Sequence, residues 1–204
     1  LKLLCGALVQ LICQRVVKGD REKTMRALLI AVSLVLVSGC ATRGEGDPSL
    51  RPVAKLDAGK FYTGTWYEIG RRPMKLTDGC VAGGTTYTPK GGAEVQVLDF
   101  CRDKSPTGKL KTIGGPARIV ESSGNAKLRV SYRFLGIVPI QRDYWVLDLA
   151  DDYSWFISAD PTFHDLWIYT RNPQPSSGQT NRLVVRAKAL GYDTTVLEFP
   201  ATGR

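Results

Sequence analysis

The chain has 204 residues, 43% of them hydrophobic and 23% charged, enough to bury one sizeable core. With 21 Gly and 11 Pro it is far from a collagen-like or low-complexity composition, and its single His argues against a His-rich metal site or a multi-histidine relay. The 28 Lys and Arg exceed the 19 Asp and Glu, for a net charge of +9, an excess that must be located before it is read as a nucleic-acid signal.

Much of it lies in the N-terminal region. Residues 25–40 run from Met25 and Arg26 through an unbroken apolar stretch, Ala27 to Val37, to small residues and a cysteine. The stretch is too short for a bilayer of about 30 Å, which needs about 20 residues, and has the length of a signal-peptide core. Leu36-Val37-Ser38-Gly39-Cys40 resembles the lipobox of bacterial lipoproteins. That resemblance implies cleavage before Cys40, its acylation by chains such as palmitate, and, with Ala41 rather than Asp following, sorting to the outer membrane on its periplasm-facing side. The alternative is a buried amphipathic helix that ends in Gly-Cys. Residues 1–24 precede Met25 and are expected to be a non-native upstream extension; residues 25–39 are the signal peptide and 40–55 a polar tether. Loss of residues 1–39 removes six basic and two acidic side chains, leaving 22 against 17, a net +5. No basic run with interleaved aromatics remains, so no nucleic-acid partner is expected.

Lys127 to Phe134 alternates strictly, with Leu128, Val130, Tyr132 and Phe134 on one face and Lys127, Arg129, Ser131 and Arg133 on the other, the pattern of a half-buried strand. Comparable segments at 66–71, 80–88, 93–101, 109–120, 126–134, 143–149, 153–159 and 165–170 are separated by turn signals such as Lys90-Gly91-Gly92 and Ser122-Ser123-Gly124-Asn125. A meander of eight strands avoids open edges by closing, so the expected fold is all-β: an eight-stranded antiparallel up-and-down barrel able to hold one small ligand. A helix over 177–190, with Leu183, Val184, Ala187 and Leu190 in one stripe and Gly191 as its C-cap, is expected to pack outside strands seven and eight, which are apolar on both faces. The barrel and helix span 56–200, and 201–204 is a tail.

Gly64-Thr65-Trp66 resembles the G-x-W signature of the lipocalins, Asp152-Tyr153 their T-D-Y block, and the run from Leu166 to Pro173 the block that ends strand eight. The wording is similar to that of bacterial outer-membrane lipocalins and their apolipoprotein D-like relatives. The resemblance implies that Gly64, Trp66 and Arg171 form a barrel-floor motif with the Arg laid on the Trp. Meander geometry agrees, since strands one and eight meet at closure; such a stack contributes about 0.5–2 kcal/mol.

A two-residue turn at Lys90-Gly91 pairs residues whose numbers total 181, as those of Cys80 and Cys101 do. These thiols are therefore expected to form a disulfide near the mouth, both pointing outward, worth about 3 kcal/mol. Alternation, that register and the lipocalin pattern give an inward set of Glu68, Thr85, Tyr87, Gln96, Leu98, Phe100, Leu128, Val130, Tyr132, Tyr144, Val146, Trp155, Ile157 and Trp167. All but Gln96 are assigned to the ligand site: an apolar cup with phenolic hydroxyls and one carboxylate, suited to an amphiphile. The alternative is that the aromatics fill the barrel. Arg71, Arg72, Lys75, Lys104 and Arg142 fall near the rim, either to meet an anionic head group or as solvated charges. The apolar loop 135–140 at the rim is placed to touch membrane, a second copy of the chain or an acyl chain, or to fold inward as a lid.

These features lead to a lipid-anchored carrier of a fatty acid, lysophospholipid or similar molecule, serving membrane maintenance or lipid storage, with no enzymatic activity, no cofactor and no metal. An envelope scaffold that binds protein through the rim loop is the alternative. An enzyme using Glu68 with Tyr132 or Tyr144 is a third reading, since Cys40, Cys80 and Cys101 are otherwise engaged and His164 lies in a loop.

Overall fold

The strands β1 (Gly64–Arg71), β2 (Cys80–Gly91), β3 (Glu94–Asp103), β4 (Leu110–Ile119), β5 (Lys127–Phe134), β6 (Val138–Leu149), β7 (Trp155–Ala159) and β8 (Leu166–Thr170) pair antiparallel in chain order. β8 returns to β1, which closes the barrel. The computed structural model describes residues 50–134 and 137–202. The signal-peptide and upstream segments, Cys40, most of the tether, Leu135, Gly136 and the last two residues of the tail lie outside the described residues.

Two apolar clusters hold the barrel. The first fills its closed end and joins Phe61, Tyr62, Trp66, Tyr87, Leu128, Val146 and Phe156. Much of it comes from a short helix, α1 (Ala58–Phe61), which alternation does not reveal because four residues show no period. Asp57 caps α1 by accepting from the amides of Gly59 and Lys60, and its own amide donates to the Tyr153 hydroxyl. Phe61 then meets Trp66, Tyr87 and Phe156 at ring separations of 4.8–6.2 Å.

Arg171 locks this end. Its guanidinium lies 3.5 Å from the centre of the Trp66 ring. It also donates to the carbonyls of Thr63, Thr65 and Lys60 at 2.8–3.0 Å and to that of Phe61 at 3.4 Å. Gly64 follows at φ 68°, a left-handed conformation that glycine adopts without strain.

The tether does not stay free as far as residue 55. Val53 N–H donates to the Val146 carbonyl and Leu56 N–H to that of Gly124. Gly124 sits at φ 66° with the Ala54 carbonyl where a Cβ would stand, so this strap passes only over a glycine. Ala201, assigned to the tail, likewise accepts from the Ala82 amide, and Glu198 pairs with Arg71 beside the mouth end of β1.

The second cluster lies between the barrel wall and helix α2 (Ser177–Ala189), where Leu183 and Ala187 meet Ile69, Ile157, Leu166 and Ile168. Ser176 caps the start by accepting from Gln179 N–H. At the other end Gly191, φ 88°, turns the chain so that its amide reaches Lys188 O and that of Tyr192 reaches Ala187 O, a Schellman closure.

Replacing Arg171 with Ala removes the stack on Trp66 and leaves several floor carbonyls without their donor. It is expected to lower unfolding free energy by about 2–3 kcal/mol in urea titrations. Arg171→Lys is expected to recover less than half of that, because one ammonium lacks the planar fork that spans those carbonyls.

Candidate ligand-binding cavity

Above the aromatic floor the barrel is hollow. The cavity measures about 590 Å³, within the range of small-molecule sites, and opens at the mouth. The floor aromatics thus fill only the closed end.

Of the residues assigned to the site from sequence, Glu68, Thr85, Tyr87, Val130, Tyr132, Tyr144 and Trp167 line the cavity, and Phe100 borders it while packing edge-on against Tyr67. Leu128 and Val146 are buried but sealed in the floor cluster. Leu98 lies on the outer face and is 45% exposed.

The Leu98 error comes from the β2–β3 register. Tyr87 faces Val97 and Thr85 faces Asp99, so the paired numbers total 184 along the middle of the ladder rather than 181. An even total pairs odd with odd, which turns Gln96 and Leu98 to the outer face and Val97, Asp99 and Cys101 inward, with Phe100 left at the cavity's border. The turn falls at Gly92-Ala93 rather than Lys90-Gly91, so Gly91 faces Glu94 at a total of 185; an irregularity at Pro89/Gly91 then sets 184 and another at Val81/Gly84 lowers it to 183. The second places Ala82 at φ 48° and brings Cys80 within a Cα–Cα distance of 5.4 Å of Cys101. The disulfide therefore forms, but both of its residues border the cavity instead of pointing outward.

Trp155 and Ile157 are also reversed. Phe156 pairs with Tyr169 and Ser158 with Trp167, and these four line the cavity. Trp155 and Ile157 pack in the outer cluster beneath α2, where Arg186 lies 4.8 Å from the Trp155 ring while holding Asp148. With both faces of β7 apolar, alternation has no means of choosing between them.

Arg71 is not a rim cation. An irregularity between Glu68 and Gly70 in the β1–β8 ladder turns it inward, where it is 4% exposed. It donates to Glu68 at 2.6 Å, to Glu198 at 3.0 Å and to the carbonyls of Thr77 and Cys80 at 3.1 Å, clamping the β1–β2 loop from inside. Arg72 donates to the His164 carbonyl and Arg142 pairs with Asp165 at 3.2 Å, while Lys75 and Lys104 are exposed at the mouth end. Burial raises the Glu68 carboxyl above the usual carboxylate range despite the opposing effect of Arg71.

The sequence-based site lacks Asp99, which lines the cavity from β3. Its Oδ2 accepts from the Tyr132 hydroxyl at 2.5 Å, and Tyr132 and Tyr144 hydroxyls stand 3.2 Å apart. Burial pushes the Asp99 carboxyl up, and the Tyr132 hydrogen bond offsets this only in part. Among the described residues no cation pairs with it. Thr85, 3% exposed, faces the same carboxyl, and its hydroxyl acts with that of Tyr132 against the effect of burial.

A closed eight-stranded cup, plugged at one end by an arginine–tryptophan stack and hollow at the other, is the architecture of a small-ligand-binding barrel. The family model of the lipocalin-like domain matches residues 56–202, and the chain belongs to the lipocalin family. It is 33% identical over 140 residues to temperature-induced lipocalin-1 of Arabidopsis thaliana, covering 67% of this chain and 74% of the relative. It is 29% identical over 175 residues to the outer membrane lipoprotein Blc of Escherichia coli K12, covering 83% and 90%. Among solved structures, insecticyanin of the tobacco hornworm Manduca sexta superposes with a TM-score of 0.62 at 17% identity, covering 79% of this chain and 88% of that one.

A carboxyl raised by burial costs stability as pH climbs from its unfolded midpoint through its folded one. Asp99→Asn keeps an oxygen for the Tyr132 hydroxyl and cannot ionise, so it is expected to stabilise the protein at neutral pH in urea unfolding. The gain should shrink near about pH 3, where Asp99 is protonated in both states.

Proposed function

We propose that this chain is a carrier that binds one small apolar or amphiphilic molecule, of the fatty acid or lysophospholipid kind, inside the barrel and performs no chemistry on it. The observation that carries this reading is the hollow, aromatic-walled upper barrel with an open mouth. In support, Cys80 and Cys101 are bonded to each other and His164 lies on an exposed loop, away from the cavity wall. The reading includes attachment through acylated Cys40 to the bacterial outer membrane, facing the periplasm, and a role in membrane maintenance or lipid storage. The lipobox-like segment supports it, as does the description of the Escherichia coli relative as an outer membrane lipoprotein.

A second reading, contact with a protein or a second copy of the chain through the rim, is favoured by one observation. Leu76 and Ile137 are 69% and 76% exposed on the mouth loops, with Val138 and Ile140 also exposed.

Native mass spectrometry of the protein as purified should show a co-purifying amphiphile. The delipidated protein should bind a fluorescent fatty acid or lysolipid saturably, at one per chain. A cavity that takes up neither probe contradicts the carrier reading.

A further inference from the structure

The cavity wall is apolar and aromatic but holds two carboxyls, and they differ in one respect. Glu68 has Arg71 against it at 2.6 Å. Asp99 has a phenol and no cation. Of the basic side chains that border the cavity, Arg71 is held by Glu68 and Glu198, Lys111 by Asp103, and Arg142 by Asp165 and the Tyr144 hydroxyl, with Arg133 exposed at the mouth.

A half-buried carboxylate without a counter-charge is destabilised, and a cation placed beside it relieves that cost. Beside Asp99 the buried Thr85 hydroxyl borders the cavity and faces the same carboxyl, which sets a polar contact next to the charge. The rings of Tyr87, Tyr132, Tyr144, Trp167 and Tyr169 line the same space, with Tyr144 and Trp167 edge to face at 5.3 Å. Aromatic faces carry negative potential and attract ammonium groups. A negative oxygen without a cation and a wall of rings converge on one ligand chemistry.

We propose that the cavity selects amphiphiles bearing a cationic nitrogen, with Asp99 as the counter-charge, Thr85 as a further polar contact and the surrounding rings as a cage. The inference rests on the carrier reading and narrows it. A fatty acid would bring its carboxylate toward Asp99 and meet repulsion, whereas an amphiphile with an ammonium head supplies the missing charge.

The test uses the full chain, stripped of bound lipid, and four probes with the same ten-carbon tail: decylamine, decyltrimethylammonium, decanol and decanoate, each below its micelle concentration. Binding is read by calorimetry and by intrinsic tryptophan fluorescence, to which Trp167 contributes from the cavity wall. Both ammonium probes are expected to bind on the order of tenfold more tightly than decanol, and decanoate more weakly than either. Asp99→Asn is expected to bring the ammonium probes down to the decanol level while leaving decanol within about threefold. The ranking in the unmodified protein decides the matter even where the variant fails to fold. Decanoate equal to or tighter than the ammonium probes, or an ammonium preference that survives Asp99→Asn, overturns the inference and leaves the carrier reading standing. No binding by any of the four overturns both.

Discussion

Everything in this molecule follows from the pairing of β8 with β1. That ladder converts a meander into a tube, and a tube has an inside: each second side chain on its strands leaves water. The seal at the closed end is a cation laid on an indole, with the same guanidinium gathering carbonyls from the entry to β1. Because Arg171 follows directly on β8 and Trp66 lies in β1, the contact joins the two strands that closure brings together. Phe61 and Tyr62 then fill the space above the plug, so the floor is solid and the hollow is displaced toward the mouth.

The interior is not uniformly oily. Irregular ladder positions bring in charged groups that regular alternation would send outward. One such shift turns Arg71 inward, where it binds Glu68 and fastens the mouth loop, and the β2–β3 shift brings in Asp99. The first is a structural clamp, balanced within the protein. The second carries no such balance and rests on a hydroxyl. Burial that destabilises an ionised side chain without a compensating partner is characteristic of positions kept for binding rather than for stability.

The legible part of this structure is the part with a period. β5 alternates so strictly that its inner face is readable from the letters, and the eight short apolar runs with turn residues between them define the barrel and the outer helix. The Gly64, Trp66 and Arg171 floor follows from meander order as well as from the lipocalin resemblance. Legibility ends where the period breaks or says nothing. β7 is apolar on both faces, and only its pairing with β8 decides that Phe156 goes in and Trp155 out. The β2–β3 register depends on a turn at Gly92-Ala93 and on two irregularities, one marked by Ala82 in a left-handed conformation, and alanine in a sequence does not announce that. A shift of odd parity exchanged Leu98 for Asp99, and with it the most informative polar group in the cavity. The disulfide was legible despite the wrong register, because the irregularity at Val81/Gly84 draws the two cysteines back to bonding distance.

The most direct test of this account is the protonation midpoint of the Asp99 side chain, followed by carbon-detected nuclear magnetic resonance of its carboxyl in the ligand-free protein. An aromatic-walled cup that leaves this group without a cation predicts a midpoint above the usual carboxylate range, falling when an ammonium amphiphile is added. A midpoint at or below that range in the free protein would mean that water or a cation already compensates the carboxyl, and would contradict the account.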